Sequence, residues 1–318
     1  MQRFDKYVNL FVFVILVALV FQFNLSYNPF SASEEVISSI TETVKKEEKL
    51  KQEIKEKSKE YYQAPDNAYI DKVWKKTPGR NGLEVDVEKS YKKMKENGEF
   101  DESLLVFREI TPKVHLEDLP PSPIYRGHPE KEMVAFLINV SWGTEYIPDI
   151  LQILHDRKVK ASFFIEGKWA KENANLVKMI KEQGHTIGNH AYNHPDMARI
   201  SKDEIYNQLS QTNDILKAIT GEAPKWFAPP SGSYNQQVVE IAHKLDMETV
   251  LWTVDTIDWK NPAISVMINR VNNKIHPGAT VLMHPTEAIR AGLNDLIDLM
   301  KEKGYRIGTI ESLVSEDR

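Results

Sequence analysis

The 318-residue chain contains no cysteine. That excludes a disulfide framework, a thiol nucleophile, a lipid-modified N-terminal cysteine and any thiolate zinc site. Positive charge is not in excess either: 41 Lys and Arg stand against 46 Asp and Glu, a net charge of -5. No basic cluster is interleaved with aromatic residues, so the sequence offers no surface for nucleic acid. What the chain does have is 41% hydrophobic residues over 318 positions, enough for one large core plus a smaller region.

The N-terminus carries a continuous apolar run, Leu10 to Phe21, preceded by Arg3 and Lys6. Extended by Phe23 and Leu25, it approaches the length needed to cross the roughly 30 Å hydrocarbon layer, with the basic flank kept inside. Residues 1–30 are therefore expected to be a single-pass transmembrane anchor that leaves the rest of the chain outside the cytoplasm. The competing reading is a cleaved signal peptide, with Ser31-Ala32-Ser33 as the processing site and a secreted product. Residues 31–64 mix both charge signs with few large apolar side chains, which predicts a solvated helical stalk. A Pro-Gly-Arg-Asn-Gly turn, a helical stretch from Asp86 to Asn97 and the β-like Leu104 to Ile110 make residues 65–119 a small α/β module. The proline-rich residues 120–131 read as a linker into residues 132–318.

From Met133 onward, apolar strand-like runs alternate with amphipathic helical ones about seven times. The near-absence of alternation inside the strands means that both sheet faces are covered, as in a parallel sheet. At this length the pattern predicts a distorted (β/α) barrel, whose chemistry gathers where strands end and loops begin. Asn139, His190, Asp255, Asp258 and His284 all fall at such ends.

The stretch GNHAYNHPDM, Gly188 to Met197, places His190 and His194 four residues apart. Taken alone, such a pair is more often structural than metal-binding. The run VAFLINVSWG, Val134 to Gly143, also ends a buried strand but offers no carboxylate. His185 reads as structural, His243 as packed on the core and His276 as a turn residue. Trp142, Tyr234 and Trp259 are candidates for stacking on sugar rings, while Trp252 fits core packing equally well. Asp196 and Glu145 are close enough in sequence to stand in for a missing carboxylate.

From about Lys131 to Leu313 the chain resembles the polysaccharide deacetylases with a NodB homology domain, carbohydrate esterase family 4. GHTIGNHAYNHPDM resembles the family's two-histidine metal motif, with His190 and His194 as ligands. FAPPSG resembles the motif that supplies a backbone oxyanion donor, here at Ser231. DTIDW resembles the motif whose last aspartate, Asp258, orients the catalytic histidine, and TVLMHP ends in that histidine, His284. The SWG variant and the membrane-proximal region look most like a sporulation-associated subgroup.

The resemblance implies a divalent metal, usually zinc, held by Asp-His-His, which polarises an acetamide and its bound water. A second Asp is the base and a histidine protonates the departing amine. The family's strand ends in two aspartates, which aligns Asn139 with the base and Val140 with the metal carboxylate; neither residue can do that work. Ala228 replaces the arginine that tethers the base, and an arginine without its carboxylate would be an unpaired charge. Two functions are therefore expected: a cell-surface deacetylase of N-acetylated cell-wall glycan with weak or lost activity, or a glycan- or wall-binding pseudoenzyme. A zinc-like ion would be held weakly, and the partners are a cell-wall N-acetylglucosamine polymer and the membrane.

Overall fold

The computed structural model describes residues 4–23 and 34–318. The eight strands of the main sheet are β1 Met133–Val140, β2 Ser162–Ile165, β3 Thr186–Asn189, β4 Trp226–Phe227, β5 Glu248–Thr249, β6 Val254–Asp255, β7 Thr280–Met283 and β8 Arg306–Gly308. Every pairing is parallel, in the order β6-β7-β1-β2-β3-β4-β5, with β8 on the first residues of β1. Helices between the strands cover the outer face, as expected for a (β/α) architecture.

The sheet is a partial barrel rather than a closed one, and the reason lies in one segment. Thr249 to Asp255 reads as a single strand, but it is two short ones, β5 and β6, which stand at opposite ends of the sheet order. Between them the chain changes partners. The Val250 N–H donates to the Phe227 carbonyl, Leu251 to Ile124 and Thr253 to Thr280. Ile124, fully buried, pairs with Val250 and, on the other side, with Lys75. Residues 120–131 thus contain a strand-like filler of the seam instead of forming a free linker.

β1 shows how a covered parallel strand sorts its side chains. Val134, Phe136, Ile138 and Val140 enter the layer between sheet and helices, with Ile147, Ile150, Phe163 and Ile289. Ala135 and Leu137 face the barrel interior, with Phe164, Trp226 and Ala228. Asn139 follows on that interior face, buried at 3% exposure.

Two compact units divide the chain: Met1–Tyr62 with Glu84–Arg108, and Gln63–Leu83 with Glu109–Arg318. This grouping differs from a separate module at 65–119. The antiparallel hairpin Tyr69–Asp71/Lys75–Thr77 belongs with the barrel. The Lys76 N–H donates to the Pro123 carbonyl, and its fully buried ammonium lies 2.8 Å from Glu248. In the other unit, helix Glu34–Lys57 buries Leu50 and Ile54 against Tyr91 and Met94 of helix Val87–Met94, which Asp86 caps through Lys89 N–H. In its last turns the expected stalk is therefore solvated on one face only, where Leu50 and Ile54, four apart, share the buried face while Gln52, Lys55 and Glu56 stay exposed.

Among the described residues no helix is long and apolar enough to cross a membrane. Helix Phe4–Phe23 forms at the expected place. Its unbroken apolar run, Leu10 to Phe21, is twelve residues, about 18 Å at the α-helical rise. Leu25, the far end of the expected anchor, and the Ser31-Ala32-Ser33 site lie outside the described residues.

Candidate active site

A cavity of about 600 Å³ opens where β1, β3, β4, β6 and β7 end, lined by Asn139, Ser141, His190, His194, Asp255 and His284, with Trp142, Trp252 and Trp259 around them. Its two halves are built differently. On one side, Asp258 is fully buried and accepts four hydrogen bonds: Thr256 Oγ1 at 2.6 Å, Thr286 Oγ1 at 2.9 Å, and the backbone N–H and Nδ1 of His284, both at 3.1 Å. With Nδ1–H donated to the carboxylate, the Nε2 of the His284 ring carries the lone pair and faces away from Asp258. The loop that carries Asp258 is strained. Ile257 sits at φ 53°, a left-handed conformation that β-branched residues avoid. Asp255 Oδ1 accepts the Ile257 N–H at 2.8 Å and fixes that turn.

On the other side, His190 and His194 come together with ring centroids 5.2 Å apart at 69°. The turn between them is held by buried Asn189, which donates to Leu209 O and Asn213 Oδ1 and accepts from the Ala191 N–H at 2.7 Å. Ala191 and His194 both have positive φ. His190 donates Nδ1–H to the Ala228 carbonyl at 2.7 Å, which leaves Nε2 as an acceptor. Burial, then His194, pushes the His190 pKa down to about 3, and burial lowers that of His194 as well. Both rings are neutral at pH 7, the form that can ligate a metal.

The carboxylates that such a ligand pair requires are missing. Val140 is fully buried in the apolar layer behind β1, away from the cavity lining. Among the described residues the buried Asn139 side-chain oxygen has no hydrogen-bond partner, and the Ser141 hydroxyl turns toward the buried Glu166, whose carboxyl pKa burial pushes up and Ser141 pulls down. Asp196 is exposed and tied to Arg199 and the Ser233 hydroxyl, and Glu145 is exposed; neither lines the cavity. Among the described residues there is no group of three His, Asp or Glu able to hold a metal. Two imidazoles and an asparagine do not fit a catalytic zinc, which takes three protein ligands.

The remaining expectations divide. Ser231 lines the cavity with φ 53°, and Trp142 and Trp259, 40% and 52% exposed, stand at its rim. The Trp142 ring packs edge-on to His284 at 5.1 Å. Tyr234 does not line the cavity: its hydroxyl pairs with that of Tyr125 at 3.0 Å and its ring packs on the Met197–Ile205 cluster. His243 is exposed beside Glu248 rather than packed on the core, because it sits on the outer face of its helix. Asn189, Thr256 and Thr286 escape a reading of motifs; their only signal is a polar residue one or two positions from a histidine or aspartate.

Fold and cavity together define a (β/α) partial barrel with a hydrolase-type histidine–carboxylate dyad facing a pair of neutral imidazoles. The family model described as "Polysaccharide deacetylase" matches residues 126–250. The uncharacterised YlxY protein of Bacillus subtilis is 52% identical over 280 residues, 88% of each chain. A peptidoglycan-N-acetylglucosamine deacetylase of Bacillus cereus is 35% identical over 59% of this chain and 70% of its own length. Among solved structures, a carbohydrate esterase family 4 pseudoenzyme from Bacillus anthracis is 53% identical, covers 85% of this chain and 96% of its own, and superposes with a TM-score of 0.79. A mutant of that pseudoenzyme is described as having restored enzymatic activity. The chain belongs to the polysaccharide deacetylase family.

Proposed function

We propose that this protein is a pseudoenzyme of the family that binds N-acetylated cell-wall glycan and does not turn it over. The observation that carries this reading is Asn139. It lines the cavity at the interior-facing end of β1; the family resemblance aligns it with the base, and an amide accepts no proton near neutral pH. Binding is supported by what remains: a cavity large enough for a sugar, rim tryptophans, and the fixed imidazole of His284. The relatives described as peptidoglycan deacetylases and as a pseudoenzyme point the same way.

The unmodified chain should release no acetate above background from N-acetylglucosamine oligomers or peptidoglycan while binding one of them. Acetate release that His284→Ala abolishes would overturn the proposal. So would failure to bind either material. We further propose that the barrel faces outward from a membrane held by the N-terminal apolar segment, a reading supported by the run from Leu10 and its basic flank. N-terminal sequencing of protein from the host's membrane fraction tests it, and a mature start just after Ala32 or Ser33 would show a secreted product instead.

A further inference from the structure

A second cavity, of about 610 Å³, lies where β2, β3 and β8 begin and the loop before β4 passes. This is the opposite end of the strands from the histidine–carboxylate dyad. Lys158, Lys160, Lys181 and Lys225 line it, against two carboxylates, Glu222 and Glu311. Both acids are engaged. Lys181 pairs with Glu222 at 2.7 Å, and Glu311 takes Thr186 Oγ1 on one oxygen and Trp226 Nε1 on the other. Lys160 reaches no carboxylate; its ammonium bends back over Gly184 to the Gln183 carbonyl. Lys158 is held at φ 55°, so its backbone conformation is fixed by its place rather than by its own preference.

One lining residue is not a surface group. His185 is 97% buried, taking its 3% exposure. Its Nδ1 accepts the Ala161 N–H at 3.1 Å, so the ring proton resides on Nε2. Among the described residues that Nε2, which lies just beneath the solvent-exposed surface, has no hydrogen-bond partner. A buried donor without an acceptor is a rare and costly arrangement in a native fold. Burial, reinforced by Lys160, pushes the His185 pKa down to about 4, so the ring stays a neutral donor at physiological pH. Excess ammonium charge and an unfilled donor call for the same complement, an anion rich in acceptor oxygens.

We infer that the cavity bounded by His185, Lys158, Lys160 and Lys225 is a binding site for a phosphate-bearing anion, separate from the dyad cavity. The cluster of ammonium groups suits a doubly charged phosphate better than a single carboxylate, and the cavity volume admits the phosphoester of a polymer as well as the free ion. The site would give the barrel a second hold, on a phosphate-bearing ligand, while the dyad cavity stays open to glycan.

The test is a titration of the full-length, 15N-histidine-labelled chain with inorganic phosphate, at ionic strength held constant with chloride. The expected result is a saturable shift of the His185 Nε2 resonance with His284 unmoved. The combined change Lys160→Gln, Lys225→Gln should weaken the apparent affinity at least tenfold, while Lys168→Gln, Lys171→Gln, the same loss of charge on another part of the surface, should leave it within twofold. No saturable shift at His185, or equal weakening by the two double variants, would overturn the assignment. All four lysines are exposed, so each variant should fold, and an unchanged His284 resonance verifies it.

Discussion

Acidification should unfold this barrel through two histidines that the fold keeps neutral. His190 and His185 are almost fully buried, and burial holds their pKa values near 3 and 4 against an ordinary 6.5. Above pH 6.5 both rings are neutral in the folded and unfolded chain, and stability does not depend on them. As pH falls below 6.5 the unfolded chain takes up two protons that the folded chain refuses, so stability drops until the folded pKa values are reached. At pH 4 each ring contributes a loss of about 3 kcal/mol, so about 6 kcal/mol together, with a slope approaching 2.7 kcal/mol per pH unit. Against a typical domain stability of about 5–15 kcal/mol this is a large share. Urea unfolding followed by tryptophan fluorescence at steps from pH 8 to pH 4 measures it. His185→Asn, which retains an acceptor for the Ala161 N–H, should remove about half of the pH dependence between 6.5 and 4. Parallel curves for the two proteins would refute the burial argument.

Other consequences concern the dyad cavity. Purified protein should carry substoichiometric zinc that dialysis removes, as elemental analysis will show, because two imidazoles make an incomplete shell. Asn139→Asp should raise zinc affinity through its charge alone, because even at the base position it adds a carboxylate to the cavity that His190 and His194 line, whereas Val140→Asp alone should destabilise the fold by several kcal/mol, since it drives a carboxylate into the apolar layer of Phe136, Ile138 and Ile147; isothermal titration and urea midpoints separate the two effects. Gly143→Ala should cost about 2 kcal/mol or more and loosen Trp142, because φ is +73° and a Cβ would lie 1.8 Å from the Pro285 carbonyl oxygen; a shift in the urea midpoint reports it, and an unchanged midpoint would contradict the packing.

The sequence made the strand–helix alternation legible because each strand is an apolar run with both faces covered, as β1 shows. It also made the ends legible, since a polar residue after such a run has nowhere to go but the mouth of the barrel: Asn139, His190, Asp255 and His284 all line the cavity. What the pattern could not carry was partner exchange. Thr249 to Asp255 has the composition of one strand, and only its hydrogen bonds, passing from Phe227 to Ile124 to Thr280, divide it at the seam. The hairpin at 69–77 was hidden for a related reason: Lys76 reads as a surface residue until its ammonium is seen buried on Glu248, far away in sequence. Tyr234 reads as a sugar-stacking aromatic, but its hydroxyl pairs with that of Tyr125, next to the seam residue Ile124.

The survival of Asp258 and His284 in a chain without the base carboxylate need not reflect surviving catalysis. Asp258 accepts from Thr256, Thr286 and both the backbone and ring of His284, so it fastens the loop after β6 to the loop after β7. Replacing it by alanine would strand the Thr286 hydroxyl and both donors of His284, while the Thr256 hydroxyl could turn to the Leu282 carbonyl at 2.9 Å; each hydrogen bond lost to a carboxylate is worth about 1.5–3 kcal/mol. The fold therefore has its own reason to retain the dyad. No such reason protects the opposite side of the cavity. Among the described residues the Asn139 side-chain oxygen accepts no hydrogen bond, so no loop is fastened through it. A carboxylate lost there costs chemistry and not stability, and with it the need for an arginine at position 228, where Ala228 now packs against Leu137 and Trp226. Departures from the family collect where the fold is indifferent to them, and the half that looks catalytic is the half that holds two loops together.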